Sequence, residues 1–467
     1  MLRRSFLGTM AGSLLAQPSA PKMNVLLVVA DDLNTALGCY GHPLVKTPNV
    51  DSLARRGVRF DRAYCQVPLC CPSRASFLTG MRPEKTGIWD NDMDIRVQHP
   101  DVVTLPQQFR NNGWYSAREG KMFHMNVPMG VGTPDFQDPP SWDHNGSPQG
   151  LEDNSPGQLH QLTPKTRRGA AIDWMSVAEA KGQADEDAAS RAISLLEQRQ
   201  GKPWFLGLGF VRPHVPLVAP AKFFDMYPLA KCEPVNNPPG DEEDLSRLFR
   251  AIRPDLWNNM DMDEAKQREA LRGYYASTSF MDEQLGRVLG ALDRMKMREN
   301  TIVVFTSDHG WHLGEHTRWQ KRSLLEESAR VPLIVVDPRT RVSGRSSMAL
   351  VESVDLYPTL CELAGLPAPA HLEGQSFAPL LRTPKRRWKR AAFTQFRTDG
   401  AWGTGVRAPN WHYIEWRSPD GKTVEEELYD SRRDPRQFHN VVADPAYANQ
   451  REQGRVLLAE GWKGAKA

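Results

Sequence analysis

Two apolar segments, each followed at once by acidic side chains, constrain the fold of this sequence most. They are NVLLVVA (24–30), followed by Asp31 and Asp32, and TIVVFTS (301–307), followed by Asp308 and His309. Continuous apolar runs rich in β-branched residues are typical of strands buried on both faces of a parallel sheet. Ligands of open α/β sheets gather outside the carboxyl ends of such strands. We therefore expect both acidic pairs to lie at one edge of a single sheet.

Further apolar segments alternate with amphipathic ones along the chain. Additional strands are predicted at 203–211 and 330–336, and helices at 47–57, 185–198, about 263–297 and 354–365, with one more beginning at Cys70. This alternation predicts an α/β domain with a mostly parallel sheet flanked by helices. After about residue 375 the segments become short and alternating. They predict a smaller C-terminal antiparallel sheet with a helix.

The sequence divides into three predicted parts: residues 1–20, 21–375 and 376–467. In the first, Arg3 and Arg4 precede a short apolar run and small residues, a secretory pattern that resembles a bacterial twin-arginine signal. An uncleaved membrane anchor is the alternative, but the run is too short to span a bilayer comfortably. No later segment resembles a transmembrane helix. We expect an exported protein, periplasmic or extracellular, whose mature chain has no transmembrane segment.

Charge and cysteine content exclude some classes of function. The 467 residues carry 59 Lys and Arg against 56 Asp and Glu, and a net charge of +3 gives no reason to expect nucleic acid as a partner. The basic run TPKRRWKR (383–390) is predicted to be a solvated boundary loop. The six cysteines follow no spacing typical of a disulfide framework or a zinc site, although one isolated bridge stays possible.

Three carboxylates that meet at one sheet edge repel one another unless a cation neutralises them. Oxygen ligands of this kind indicate calcium or magnesium. His309 is a soft ligand for such a cation, so it could instead bond an oxygen ligand or the substrate. The alternative is that each acid caps a following helix, but neither acidic pair precedes a clear helical pattern.

The segment QVPLCCPSRASFLTG (66–80) places two adjacent cysteines at a predicted helix start. A helix amino terminus favours an anionic ligand and lowers the pKa of a cysteine there. Arg74 lies within reach of such an anion. The alternative is that Cys70 is a buried packing thiol, as most cysteines are.

The run Cys70-Cys71-Pro72-Ser73-Arg74, with Thr79-Gly80 after it, resembles the signature of the type I sulfatases of the alkaline phosphatase superfamily. In that family a formylglycine-generating enzyme oxidises the first cysteine to formylglycine. The resemblance covers nearly the whole chain, and it implies an alkaline-phosphatase-like fold. Within the family, DDLNTALGCYG (31–41), GKMFH (120–124), FVRPHVP (210–216) and DHGWHLGEH (308–316) resemble the iduronate-2-sulfatase group.

Roles for individual residues follow from this resemblance. The implied ligands of one calcium ion are Asp31, Asp32, Asp308, His309 and the formylglycine derived from Cys70. The implied catalytic residues are Cys70 as nucleophile, Arg74 holding the hydrated aldehyde, Lys121 and Lys321 binding the sulfate oxygens, His214 protonating the leaving alcohol and His124 accepting the proton that releases sulfate.

The implied activity is hydrolysis of sulfate monoesters on a sulfated sugar or uronic acid of a polysaccharide, with a 2-O-sulfated uronic acid ranked first. A phosphate or phosphonate monoester hydrolase of the same superfamily is the alternative. An inactive glycan-binding relative would lack an acid or a lysine of the site, and none is missing. Trp89, Asp90 and Asn91 could line the pocket, while Arg318, Trp319 and Arg322 fit either glycan binding or ordinary surface charge.

Overall fold

The computed structural model describes residues 22–164 and 171–466. The predicted signal segment, residues 1–20, lies outside these ranges. Within them, no helix combines the length and the hydrophobicity that crossing a bilayer requires.

The strands of residues 22–164 and 171–466 belong to four separate sheets. In chain order they are β1 Asn24–Asp31, β2 Val58–Tyr64, β3 Tyr115–Gly120, β4 His144–Gly146, β5 His160–Gln161, β6 Asp173–Val177, β7 Trp204–Pro213, β8 Leu217–Pro220, β9 Thr301–Ser307, β10 His312–Leu313, β11 Trp319–Gln320, β12 Arg330–Val336, β13 Arg345–Ser347, β14 Val351–Glu352, β15 Ala392–Arg397, β16 Trp402–Arg407, β17 His412–Arg417 and β18 Val424–Tyr429.

The largest sheet contains both strands that carry the acidic pairs. Its order is β13-β2-β12-β9-β1-β7-β3-β4, with β14 also paired to β2. The strand β12 runs antiparallel to both of its neighbours, and the remaining pairings are parallel. The prediction of a mostly parallel sheet is confirmed. Because β1 and β9 are parallel neighbours, their carboxyl ends lie side by side.

Helices cover both faces of this sheet. The α-helices are α1 Pro48–Arg56, α2 Cys70–Thr79, α3 Pro83–Thr86, α4 Ile95–Gln98, α5 Leu105–Asn111, α6 Ala184–Gln198, α7 Ala221–Phe224, α8 Arg247–Arg250, α9 Glu264–Arg294, α10 Glu326–Ala329, α11 Leu356–Ala364, α12 Ala378–Arg382 and α13 Ala448–Gly464. The predicted helices at 47–57, 185–198, 263–297 and 354–365 correspond to α1, α6, α9 and α11; α1, α9 and α11 are slightly shorter than predicted, and α6 begins one residue earlier than predicted.

Alternate side chains of β1 enter two different hydrophobic cores. Val25, Leu27 and Val29 pack with α2, α5 and α11, whereas Leu26 and Val28 pack with α1, α6 and α9. Side chains of a strand point to opposite faces in turn, so a strand covered on both faces has no polar position. This explains the unbroken apolar run in the sequence.

The C-terminal antiparallel sheet follows the predicted pattern. It has the order β15-β16-β17-β18, and α13 packs on it. Strand β15 lies beside the chain just before α2: the Gln395 amide donates to the Gln66 carbonyl at 2.7 Å, and the Thr394 hydroxyl donates to the Cys65 carbonyl at 2.8 Å. The smaller sheet is thereby fixed against the segment that leads into Cys70.

The basic run 383–390 is solvated only in part. Lys385, Arg386 and Arg387 are exposed, as predicted, but Trp388 and Lys389 are buried. Lys389 is buried because its ammonium group pairs with two buried carboxylates of the catalytic part. The division of the chain at residues 375 and 376 stays a prediction.

Candidate active site

Helix α2 brings Cys70 to the edge of the sheet where β1 and β9 end. Leu69 precedes the helix in an extended conformation, Cys70 is its first residue, and every residue of α2 is buried. A buried helix start directs unpaired backbone N–H groups into the site. The Cys71 amide already donates to the Asn91 side chain at 3.0 Å.

The acids at the two strand ends meet as predicted. Asp31, Asp32 and Asp308 are fully buried, and the Asp32 amide donates to Oδ1 of Asp308 at 3.2 Å. Asp32 adopts a φ of 61°, which aspartate tolerates better than most side chains. The positive φ marks the point where the chain turns out of β1 to present consecutive acids.

The Cys70 sulfur lies among predicted site residues. Its Sγ atom is 3.1 Å from the Lys321 ammonium, 3.3 Å from Nε2 of His309 and 3.9 Å from Oδ1 of Asp32. Residues far apart in the sequence therefore converge on the side chain at position 70.

Three buried cations balance the three acids. Arg74 donates to Oδ2 of Asp308 at 2.9 Å and to Oδ1 of Asp31 at 3.2 Å, and Lys121 donates to Oδ2 of Asp31 at 2.6 Å. The Lys321 ammonium lies 2.6 Å from Oδ1 of Asp32. Arg74 also donates to the carbonyl groups of residues 121 and 122, so its guanidinium holds two acids and the Lys121 loop together.

Two glycines allow Lys121 to approach the sheet. Gly120 has a φ of 81°, and a Cβ atom there would lie 2.0 Å from the Gly209 carbonyl oxygen. A Cβ atom on Gly209 would lie 2.1 Å from the Lys121 carbonyl oxygen. Side chains at either position would therefore displace the backbone that carries Lys121.

The pKa values of Asp31 and Asp32 are shifted in opposite directions, depending on whether ion pairing or burial has the larger effect. Burial raises the pKa of Asp31, but the nearby Lys121, Arg74 and Lys321 outweigh it and hold the pKa well below its ordinary value. For Asp32, burial prevails over the attraction of Lys321 and the pKa is raised. The pair thus contains one firmly ionised carboxylate and one whose charge needs a further cation.

The expected low pKa of Cys70 is not found. Burial raises the pKa of its thiol far above the ordinary value, and Lys121 and Lys321 offset this only in part. The helix start is buried beneath the acids, so desolvation outweighs the helix dipole. An unmodified thiol at position 70 is therefore a poor nucleophile.

Histidines complete the site with their lone pairs directed inward. Nδ1 of His309 lies 2.9 Å from the Gly310 carbonyl, and Nδ1 of His214 lies 2.6 Å from the Val215 carbonyl. A carbonyl accepts only from an N–H, so Nε2 of each ring carries the lone pair. Burial lowers the pKa of both rings, that of His214 to about 3, so both are neutral.

His124 is buried, and its ring forms no hydrogen bond with Cys70 among the described residues. Its Nε2 atom is 3.3 Å from the Asn126 side chain, and its buried Nδ1 has no hydrogen-bond partner among the described residues. Burial and Lys121 lower its pKa well below the ordinary value. The ring is therefore a neutral base with one nitrogen free.

The donor set fits a divalent cation. One ligand atom each from Asp32, Cys70, Asp308 and His309 lie within 4.8 Å of one another, and Asp31 and His214 form a similar group with Asp32 and Cys70. Nε2 of His309, with its lone pair, is 3.3 Å from Oδ1 of Asp32, and Oδ2 of Asp32 is buried with no hydrogen-bond partner among the described residues. A cation relieves both unfavourable features.

Sequence reasoning missed two residues that shape the acidic loop. The Tyr274 hydroxyl donates to the Asp32 carbonyl at 2.8 Å and accepts from the Asn34 amide at 2.9 Å. The Ser307 hydroxyl bridges the ends of β9 and β1, donating to the Ala30 carbonyl and accepting from the Leu33 amide. Ser307 could have been found from its place before Asp308, whereas Tyr274 lies within α9 and carries no sequence signal.

Two suggestions for glycan contacts are wrong. Arg318 and Trp319 are buried, with Arg318 packed against Phe249 and Trp257. Phe249 belongs to α8 and Trp257 to the segment between α8 and α9, and the sequence pattern placed neither beside Arg318. Arg322 remains half-buried beside Asp90, at 3.3 Å.

Comparison with known proteins agrees with this geometry. The family model named sulfatase matches residues 23–366, about three quarters of the chain. The chain belongs to the sulfatase family. A second model, for the C-terminal part of N-sulphoglucosamine sulphohydrolase, matches residues 314–460 of this sulfatase. The family assignment makes the protein a sulfuric ester hydrolase.

Named relatives support the same assignment. The sulfatase is 34% identical to human iduronate 2-sulfatase, over 82% of this chain and 76% of the relative, and 31% identical to a sulfatase of Formosa agariphila, over 95% and 87%. Among solved structures, the phosphonate monoester hydrolase of Agrobacterium radiobacter matches with a TM-score of 0.78 and 23% identity, covering 94% of this chain and 95% of that one. This last likeness concerns the fold alone.

Proposed function

We propose that this sulfatase hydrolyses a sulfate monoester on a sugar or uronic acid of a sulfated polysaccharide, using calcium and a formylglycine formed from Cys70. The observation that carries the proposal is the convergence of three acids, two lysines and His309 on residue 70. The poor nucleophilicity of the buried thiol favours its conversion to another group.

The charges of the site suit an anionic ester. Asp31, Asp32 and Asp308 balance Arg74, Lys121 and Lys321, so the six side chains sum to zero. When bound by Asp31, Asp32, Asp308 and His309, calcium would act as a Lewis acid on a sulfate oxygen. The excess positive charge would release Lys121 and Lys321 from the acids to bind the remaining oxygens of the ester.

Residue 70 as formylglycine would supply the attacking oxygen as a hydrated aldehyde. Arg74 holds Asp31 and Asp308 in position, which makes it a positioning residue in this geometry. His214 is neutral, so it must gain a proton before it can protonate the leaving alcohol. An anionic ester bound beside it favours that protonated form. His124, with one free ring nitrogen, is suited to accept the proton that accompanies sulfate release.

The substrate class rests on sequence similarity. Human iduronate 2-sulfatase is 34% identical over 82% of the chain, which favours a 2-O-sulfated uronic acid as the unit cleaved. The pattern of residues 1–20 favours export to the periplasm or the extracellular space, where such polysaccharides occur. Maturation would need a formylglycine-generating enzyme.

A phosphate or phosphonate monoester hydrolase is the second candidate. The solved phosphonate monoester hydrolase has the same fold, so the fold does not separate the two activities. Sequence similarity favours the sulfatase, because the relatives at 31% and 34% identity are named as sulfatases.

Mass spectrometry of the tryptic peptide 63–74 tests the proposal. We expect an aldehyde or its hydrate at residue 70 when the protein is produced with a formylglycine-generating enzyme. The same preparation should release sulfate from a 2-O-sulfated uronate oligosaccharide much faster than it cleaves a phosphonate monoester. A plain thiol in active protein would exclude the formylglycine mechanism, and a phosphonate preference would support the second candidate.

Calcium binding is expected to be measurable apart from activity. In protein with an unmodified Cys70, added Ca²⁺ should raise the midpoint of thermal unfolding, since a ligand that binds only the folded state stabilises it by about 2.7 kcal/mol at one hundred times its Kd. The Asp308→Asn variant removes one charge from the set and should lose this shift. An equal shift in the variant, or none in the unsubstituted protein, would contradict the proposed calcium site.

A further inference from the structure

The C-terminal sheet presents an arginine that forms no ion pair among the described residues. Arg397 ends β15 and faces Trp402, the first residue of β16, as its cross-strand partner. Its guanidinium carbon lies 4.0 Å from the centre of the Trp402 ring and 5.7 Å from that of Trp89. Arg397 is exposed, and 37% of the Trp402 surface is exposed.

The guanidinium of Arg397 differs from its neighbours in having no acidic partner. Among the described residues, no carboxylate or hydrogen-bond acceptor pairs with it, whereas Arg417, the other cross-strand neighbour of Trp402, lies 2.6 Å from Glu415. An arginine stacked on indole rings keeps its N–H groups directed outward in a fixed plane. Such a group is preorganised to bind a carboxylate or a sulfate.

A short series of contacts connects this arginine to the segments that carry Cys70 and Lys321. Trp89 is followed by Asp90, which pairs with Arg322 at 3.3 Å, and by Asn91, whose side chain accepts from the amide of Cys71. Arg322 itself follows Lys321.

Packing beneath the β15–β16 hairpin fixes the position of Arg397 and Trp402 relative to the site. A Cβ atom on Gly403 would lie 2.4 Å from the Trp416 ring and 2.7 Å from Leu324, three residues after Lys321. Phe396 and Ala401 belong to the same hydrophobic cluster as Leu69 and Leu324. The residues next to Arg397 and Trp402 therefore pack on the two segments that carry Cys70 and Lys321.

We propose that Arg397 and Trp402, with Trp89, form a binding subsite for an anionic group on the sugar unit next to the one that carries the cleaved ester. This inference rests on the proposed function. Trp402 offers an exposed aromatic face to the sugar ring. The guanidinium of Arg397 offers paired N–H donors to the carboxylate or a second sulfate of that sugar. The subsite selects an anionic oligosaccharide over a small ester.

The test compares two probes on each variant. They are a heparin-derived tetrasaccharide with a 2-O-sulfated uronic acid at its non-reducing end, and 4-nitrophenyl sulfate. We expect Arg397→Ala and Trp402→Ala each to lower the ratio of kcat/KM values, tetrasaccharide over aryl ester, about tenfold. Arg397→Ala removes a hydrogen bond to a charged group, and Trp402→Ala removes the ring on which the sugar and the guanidinium pack. Arg397→Lys should lose less, since it keeps the charge without the planar fork.

The control is Arg387→Ala, which removes the same charge from the exposed basic run. We expect it to leave the ratio unchanged. An unchanged ratio in the Arg397 and Trp402 variants, or an equal fall in the Arg387 variant, would overturn the subsite. A wild-type protein that releases sulfate from neither probe would instead refute the proposed function.

Repeating the assay on carboxyl-reduced tetrasaccharide shows which anion Arg397 binds. The effect of Arg397→Ala disappears if Arg397 binds the carboxylate and persists if it binds a sulfate.

Discussion

Cys70→Ala is expected to abolish sulfate release, lowering kcat by at least about 10⁴-fold, because it removes the nucleophile on which the other site residues act. Cys70→Ser should likewise lose sulfate release over multiple turnovers when the serine at position 70 is not converted to the aldehyde. The measurement is steady-state sulfate release from a 2-O-sulfated uronate oligosaccharide, with thermal unfolding recorded to show that the variant is folded.

Cys71→Ala is the matched control. The Cys71 sulfur lies 3.2 Å from the Met93 carbonyl and belongs to the hydrophobic core, whereas the Cys70 sulfur faces Lys321 and His309. We expect near-normal kcat with a modest loss of stability from the lost packing. If the two substitutions reduced kcat equally, or if Cys70→Ser turned over at the normal rate, the assignment of the nucleophile would fail.

The parts of the fold that the sequence predicted are those governed by local patterns. Strands buried on both faces leave unbroken apolar runs, so β1, β9 and β12 could be predicted almost to the residue. The meeting of Asp31 and Asp308 followed from sheet topology, because parallel neighbouring strands end at the same edge. Resemblance to a family supplied Lys121 and Lys321, whose place no local pattern indicates.

What the sequence could not predict depends on tertiary packing. The helix-start argument predicted an activated thiol at Cys70, but the acids and the sheet bury it and reverse the direction of the pKa shift. Trp319 and Arg318 follow a polar, loop-like segment and are nevertheless buried, with Arg318 against the distant rings of Phe249 and Trp257. The stacking of Arg397 on Trp89 joins residues more than 300 positions apart, which a single sequence does not reveal.

A buried ion cluster joins the C-terminal part of the chain to the catalytic part. Glu352, at the end of β14, accepts from both terminal nitrogens of Arg82, at 2.8 and 2.7 Å, from Lys389 at 2.7 Å and from the Phe393 amide at 3.0 Å. Lys389 also pairs with Asp355 at 2.6 Å. These contacts tie the segment between α2 and α3 to the chain that enters β15.

Glu352→Gln is expected to lower the free energy of unfolding by about 3–5 kcal/mol at pH 7, because it leaves the charge of Arg82 buried without its carboxylate partner and leaves Lys389 with Asp355 alone. Urea unfolding measures the change. The control is Glu283→Gln, which breaks an exposed pair with Lys222 and should cost less than about 1 kcal/mol. If Glu352→Gln lowered the free energy of unfolding as little as Glu283→Gln does, the cluster would contribute little to the stability of the fold.

The same variant should show a defined pH dependence. Burial opposes the ionisation of Glu352, but Arg82 and Lys389 outweigh it and hold its pKa at about 2. A carboxyl whose pKa is lower in the folded than in the unfolded chain stabilises the fold above the unfolded value, about 4.3, and loses that contribution as the pH falls toward 2. Asp355 contacts the same Lys389, and burial together with the charge of Glu352 raises its pKa, so the substitution at Glu352 also affects the titration of Asp355. We therefore expect the difference in unfolding midpoint between wild type and Glu352→Gln to be constant from pH 7 to 5 and to shrink below pH 4.5.

A difference that stayed constant down to pH 3 would mean that the lost stability comes from altered packing rather than from the charge of Glu352.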